Sequence, residues 1–327
     1  WPHSAYMVPG GVASSPSVGD LLSCGALVAE FRRWYEVSIL GCPIERWREV
    51  RSAADLDAWV EEKDAHRQGD LGFFIRFSRE AGLDRIGKGY GRFLSFGSLD
   101  LPDDTDGKTL VPAGFVADGQ GRPFDPGKVT EHVAYSWFKD YEGGRHPFDG
   151  ETQPYATGEE GKKYSWAKAP RYDGAPSETG PLAEGLVAAD PLLSDLLAKE
   201  GPSAFLRQLA RIVRPATLLP SVETWLREMA RTPNGLYQKP APIEYGEGFG
   251  LIEAARGALG HWVKIADGRI RHYQVITPTA WNASPRDADG RRGPWEEALV
   301  GTPVRDVGNP VEVGHVVHSF DPCMVCC

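Results

Sequence analysis

Asp321-Pro322-Cys323-Met324-Val325-Cys326-Cys327 closes the sequence, and His315-Val316-Val317-His318-Ser319-Phe320 leads into it. Cys323 and Cys326 are separated by two residues, a spacing at which both side chains can reach one metal ion. Thiolate sulfur is a soft donor suited to nickel, copper(I), zinc or iron–sulfur centres. Three of the five cysteines stand in the last five positions, whereas small disulfide-stapled domains spread theirs through the fold. Adjacent Cys326 and Cys327 are poorly disposed to pair with each other. The spacing therefore reads as a metal site, with a zinc knuckle or a redox dithiol as the alternatives for a bare Cys-x-x-Cys. Cys24 and Cys42 fall in or beside apolar helical sequence and read as buried, inert thiols.

The rest of the chain bounds what such a site could serve. Its 327 residues are enough for two or three domains and a substantial core. Hydrophobic residues at 41% and charged ones at 25% fit an ordinary globular protein. A net charge of −9 argues against nucleic acid, whose binding relies on clustered Lys and Arg. No apolar run approaches the roughly 18–20 residues of a transmembrane segment. No basic-then-apolar signal opens the sequence either.

Periodicity divides the chain into four regions. Residues 1–100 read as an irregular linker followed by helices. One helix is expected over Val18–Leu40, capped by Ser17 and stopped at Gly41-Cys42-Pro43, and a second helical tract over 54–82. Residues 101–185 are rich in loops, with β-like runs at Thr109–Val116 and Val129–Phe138. Residues 186–235 return to helical spacing, with Pro215 and Pro220 expected to kink or interrupt it. Residues 236–327 read as alternating short strands and turns bearing the metal ligands. There Ala258–Ile265 and Arg269–Thr277 flank the hairpin signal Ala266-Asp267-Gly268, and Pro294–Val300 reads as a turn or two of helix. No internal repeat is present. The fold class is α+β: a long-helix bundle with a β-containing C-terminal section.

Further blocks give the terminal cysteines a context. Glu253-Ala254-Ala255-Arg256-Gly257 lies within 246–262, and Tyr273-Gln274-Val275-Ile276-Thr277-Pro278-Thr279-Ala280-Trp281-Asn282 follows. Ser284-Pro285-Arg286-Asp287 and Gly293-Pro294 come next. Upstream stand Tyr164–Tyr172, Gly180-Pro181-Leu182-Ala183, and Pro2-His3-Ser4 with Gly10-Gly11-Val12. Together with Ser319-Phe320-Asp321-Pro322-Cys323, these blocks resemble, in order, the large catalytic subunit of [NiFe]-hydrogenases in its C-terminal portion.

The resemblance implies a centre of one Ni and one Fe, the Fe carrying CO and two CN ligands. Four thiolates hold it in the family. Cys323 would bind Ni alone and Cys326 would bridge Ni and Fe, while an N-terminal Arg-x-Cys-Gly-x-Cys motif supplies the other two and does not occur here. Arg256 would hang over the open coordination position, with Asp321 pairing and orienting it. Pro278 and Thr279 would lie against a cyanide. A Mg ion near the C-terminus is implied on a carbonyl aligned with Val275 and on a terminal His that follows the second cysteine in relatives and is absent here. Ala255 stands where relatives commonly have proline. The substrate would be H2, and electrons would leave through an iron–sulfur small subunit. A maturation protease and chaperones are implied, as is a cytoplasmic site or membrane association through partner subunits. Because the chain opens at Trp1 and lacks both the motif and the histidine, it reads as a piece of something longer, expected to be nearly inactive alone.

Two other functions share the resemblance. One is an H2-sensing regulatory subunit with the same site. The other is the quinone-site subunit of respiratory NADH dehydrogenase, against which the retained Cys323 and Cys326 count. Each candidate residue also has a plainer reading: Arg256 as a surface cation, Asp321 as an Asp-Pro turn, Thr279 as a strand residue. His261, His315 and His318 match no zinc spacing and read as packing or supporting residues. Glu253 and Glu312 are lesser candidates as proton relays. Arg286 and Asp287 read as a turn with a paired charge, and Tyr164–Tyr172 as a packed loop or subunit contact.

Overall fold

The computed structural model describes residues 7–101, 108–231 and 236–326. The block Pro2-His3-Ser4 and Cys327 lie outside them. The chain forms two compact units.

The first unit gathers Trp1–Val50, Asp55–Phe74 and Ile212–Glu244. Two short antiparallel strands, β1 (Met7–Val8) and β2 (Gly11–Val12), precede α1 (Val18–Trp34). Ser17 caps α1 as expected. Its hydroxyl accepts from Asp20 N–H at 3.1 Å while the Asp20 carboxylate accepts from Ser17 N–H at 2.8 Å, a reciprocal capping box. The helix gives way to a π-helical stretch at Tyr35–Leu40, and Gly41 at φ 68° ends it. A Cβ on Gly41 would lie 2.0 Å from the Ala65 carbonyl, so only glycine fits this stop. Cys24 is exposed, contrary to its reading as a buried thiol, because α1 buries none of its residues. Cys42 is buried.

The helical tract expected over 54–82 is three helices, preceded by α2 (Ile44–Trp47): α3 (Ala53–Glu62), α4 (Asp64–Gln68) and α5 (Asp70–Ala81). Lys63 and Gly69 adopt extended backbone at the breaks. Trp47, Trp59 and His66 pack behind them, the His66 ring stacked on Trp59 at 4.7 Å.

The second unit comprises Arg51–Ala54, Ile75–Arg211 and Tyr245–Cys327. It contains a strand, β3 (Arg92–Asp100), inside the stretch read as helical. Phe93 through Ser98 are buried without alternation, so no period of two marked them as a strand. β3 pairs antiparallel with β4 (Thr109–Ala117), which pairs with β5 (Gln120–Arg122). Of the run expected over Val129–Phe138, only β6 (Val129–His132) forms, paired with β7 (Ala169–Tyr172). Beyond it, the carbonyls of Val133, Ser136 and Phe138 all accept from the buried Lys163 ammonium, at 2.9–3.0 Å. Carbonyls converging on one cation do not extend a ladder.

Helices α6 (Pro181–Val187), α7 (Pro191–Glu200) and α8 (Ala204–Arg231) follow. Pro215 and Pro220 stand inside α8 without ending it. Each removes one backbone donor, a loss that a 28-residue helix absorbs.

The C-terminal meander joins β8 (Gly246–Ala254), β9 (Gly257–Ala266) and β10 (Arg269–Ile276), in sheet order β10-β9-β8. Asp267 and Gly268, at φ 55° and 65°, make the predicted tight turn between β9 and β10. The region is not all strand and turn: α9 (Pro278–Asn282), α10 (Pro294–Leu299) and α11 (Val311–Ser319) follow. The unit's core joins Leu94, Phe115, Tyr172, Trp262, Ile276 and Trp281 from the sheets and α9. Arg171 and Asp287, each 0% exposed, pair at 2.8 Å within this unit. The charge partner expected for Asp287 is thus Arg171. Among the described residues, no helix is long and apolar enough to cross a membrane.

Candidate metal centre

The thiols sit on a short segment whose geometry is set on both sides. α11 runs out at Phe320, whose N–H still donates to Val317 O at 3.1 Å. Asp321 then turns the chain at φ 55°, a left-handed conformation that Asp tolerates better than most residues. A single 3-10 turn, Met324–Cys326, follows, with Cys326 N–H donating to Cys323 O at 3.1 Å. This turn packs against α9. The Thr277 hydroxyl, at the N-cap position of α9, donates to the Cys326 carbonyl.

That turn brings Cys323 and Cys326 Sγ to 3.0 Å, Cys326 donating to Cys323. The hydrogen bond from Cys326 holds the Cys323 thiol below its ordinary range. Slight burial opposes this, while the backbone N–H groups of Val325 and Cys326 and the charge of Arg256 reinforce it. A depressed thiol is the form that binds metal. Both sulfurs are thus close enough to serve one shared soft metal ion.

Arg256 comes from the hairpin between β8 and β9, where Ala255 and Arg256 form a two-residue turn. Arg256 thus stands at the tip of the hairpin. Gly257, at φ 126°, lets that tip approach Gly180 so closely that a Cβ would fall 2.5 Å from Gly180 N. Asn282 of α9 anchors the neighbouring backbone, accepting from Thr179 N–H and donating to Thr179 O, both at 3.1 Å. Arg256 Nε then lies 3.2 Å from Asp321 Oδ2. Residues from a hairpin tip and from the end of α11 thus meet beside the sulfur pair.

Arg256, Asp321, Cys323 and Cys326 are therefore brought together. Pro278 and Thr279 are buried in the first turn of α9, so Thr279 is helical rather than a strand residue. Glu253 is buried, and its carboxylate accepts from Phe96 N–H at 2.6 Å, bracing β3 against β8. Glu312 lies 3.7 Å from Arg305. His261 contacts the Tyr273 hydroxyl at 2.7 Å, and His315 meets the Phe77 ring. His318 receives the Gln208 side-chain amide on its carbonyl. Tyr164 and Trp166 remain about half exposed, while Ala169–Tyr172 is buried as β7.

Among the described residues, no group of three or more His, Cys, Asp or Glu side chains could hold a metal unaided. The two sulfurs fit a centre that takes further ligands from elsewhere. They do not form a closed zinc site, which uses four. The same finding leaves the magnesium implied near Val275 without a side-chain ligand set here. Sequence reading missed Thr277 and Asn282 as supports. Thr277 and Asn282 lie in the quoted block, yet nothing local marks their partners.

The profile of nickel-dependent hydrogenases matches residues 70–327. The large subunit of the periplasmic [NiFeSe] hydrogenase of Desulfomicrobium baculatum is 39% identical over 263 residues, 75% of this chain and 50% of that protein. The Hydrogenase-1 large chain of Escherichia coli K12 is 36% identical over 279 residues, 71% of this chain and 47% of that one. The reduced Ni-Fe-Se hydrogenase from D. vulgaris Hildenborough superposes with a TM-score of 0.80 at 32% identity, over 99% of this chain and 64% of that one. The chain spans about half the length of the curated relatives it matches. On its sequence, its fold and its paired terminal thiols, this chain belongs to the nickel-dependent hydrogenase family, and it matches the large subunit.

Proposed function

We propose that this chain carries the C-terminal half of the active site of a hydrogenase that splits H2 heterolytically and passes the electrons to an iron–sulfur small subunit. Cys323 and Cys326 would hold a nickel–iron pair, with two further thiolates from outside these residues. When bound, that pair, its Fe carrying CO and two cyanides, supplies the two-electron chemistry. The protein's own part is proton handling and orientation. Cys323 would supply a thiolate able to accept a proton beside the reacting centre, and Arg256 is a permanent cation that favours charge separation in H2. Asp321 aims Arg256 and offsets its charge. Each H2 leaves as two protons and two electrons. The protons go out through the chain's own groups and the electrons through the partner.

The observation that supports this reading is the Arg256–Asp321 pair at 3.2 Å beside two sulfurs 3.0 Å apart. A zinc knuckle or redox dithiol has no need of that pair. Infrared spectroscopy of the full-length, matured protein with its partner subunit tests it through bands of Fe-bound CO and cyanide. Absence of those bands overturns the reading. Bands with only slow H2-dependent dye reduction would assign the subunit to sensing instead. Residues 1–327 alone supply two of four thiolates, and hydrogen uptake by them alone would contradict the ligand count.

A further inference from the structure

Asp321 faces a second guanidinium besides Arg256. Arg211 Nε of α8 lies 3.7 Å from Asp321 Oδ2, the same oxygen that Arg256 Nε approaches at 3.2 Å. Arg211 also donates through Nη1 to the Ser319 carbonyl at 3.0 Å, so it holds the backbone just before Asp321 as well as the carboxylate. One turn earlier on the same face, Arg207 stacks on the Phe320 ring at 4.0 Å. Arg207 is itself fixed by Glu178 at 2.7 and 2.8 Å and by the Gly87 carbonyl at 2.7 Å. Residues 319, 320 and 321 are therefore each gripped by one helix. The space left among these groups is about 10 Å³, room for at most one water.

An aspartate in left-handed backbone, with one carboxylate oxygen shared by two cations, has a narrow choice of orientation. We infer that Arg211 is a positioning residue for the hydrogenase reaction, acting through Asp321 to aim Arg256 at the sulfur pair. The inference rests on the hydrogenase reading given above. Arg211 reaches the Asp321 carboxylate and the Ser319 carbonyl. Its part is to hold, as a second cation, the carboxylate oxygen that Arg256 approaches and to keep the Ser319–Asp321 backbone in register. Without it, Asp321 keeps its charge but loses its direction. Arg256 is then free to swing away from the site.

The test uses the full-length, matured protein with its partner subunit, in four variants: Arg211→Gln, Arg211→Lys, Asp321→Asn and the double Arg211→Gln/Asp321→Asn. Misplacing a reacting group by about an ångström costs on the order of 10–100-fold in rate, so Arg211→Gln should lower kcat for H2-dependent dye reduction about tenfold. KM for H2, nickel content and the CO and cyanide bands should stay as in wild type. Arg211→Lys, which keeps the charge near Asp321, should recover part of the rate. The double variant should be no slower than Asp321→Asn alone, because both changes remove one function. A crystal structure of Arg211→Gln should show the Arg256–Asp321 pair opened. Multiplying losses in the double variant, loss of nickel in both Arg211 variants, or an unmoved Arg256–Asp321 pair would each overturn the assignment of Arg211. Wild-type protein lacking the infrared bands would instead overturn the hydrogenase reading, and this inference with it.

Discussion

Replacing Arg207 with alanine strips the countercharge from the buried Glu178 carboxylate. Glu178 and Arg207 are each about 4% exposed at the side chain and meet through two hydrogen bonds of 2.7 and 2.8 Å. Truncating one partner of such a buried pair costs about 3–5 kcal/mol, because the other charge stays out of water. The lost stack on Phe320 adds up to ~1–2 kcal/mol. For a protein of this size, the sum lowers the melting temperature by on the order of 10 °C. Scanning calorimetry of the full-length protein reads this directly, and nickel content reads the effect on the thiol segment that Phe320 introduces. Arg207→Met combined with Glu178→Leu removes both charges and should recover most of the stability. The reasoning fails if Arg207→Ala melts within about 2 °C of wild type, or if the double variant is as unstable as the single.

Other substitutions probe separate parts of the second unit. Arg171→Lys keeps the charge but not the planar fork that serves Asp287, Ser284 and the carbonyls of Pro170, Pro285 and Arg291; thermal melting should register a loss of about 2–3 kcal/mol from unmet buried acceptors. Burial pushes the Asp287 carboxyl up, but the hydrogen bond and charge of Arg171 outweigh it and hold the group below its ordinary range. A depressed carboxylate adds stability above its unfolded pKa, near 3.9, and loses it as pH falls through the lower folded value. Asp287→Asn should therefore be less stable at neutral pH and show a shallower decline below about pH 4 in acid titration. Thr277→Val removes the hydroxyl that holds the Cys326 carbonyl, worth about 1 kcal/mol, and should speed nickel loss to a chelator roughly fivefold. Cys323→Ala or Cys326→Ala should abolish nickel by elemental analysis, while Cys24→Ala leaves it unchanged; retained nickel in the first pair would refute the ligand assignment.

Features that depend on a few adjacent residues were legible from the sequence. Ser17 with Asp20, Gly41, and the Asp267-Gly268 turn each act through backbone geometry within one or two residues. The Cys-x-x-Cys spacing is of the same kind, since one 3-10 turn suffices to bring the two sulfurs together. β3 was not legible. Its residues Phe93 to Ser98 are buried on both faces, and Phe93-Leu94-Ser95-Phe96-Gly97-Ser98 has no period of two to mark a strand. Pro215 and Pro220 do not interrupt α8, since propensity is a weak prior that packing can override.

By itself, then, the sequence determined that paired soft donors stand at its end, that the domain mixes helices with a C-terminal meander, and which ordered blocks resemble nickel-dependent hydrogenases. Only the tertiary structure decided that Arg256 rides a hairpin tip, that α8 grips Ser319, Phe320 and Asp321, and that Thr277 ties down the Cys326 carbonyl. The physical reason is range. A turn or a cap is an energy within a few bonds, readable from residue types in order. A carboxylate shared by two guanidinia depends on where separate strands and helices come to rest, and that is set by the packing of the whole core.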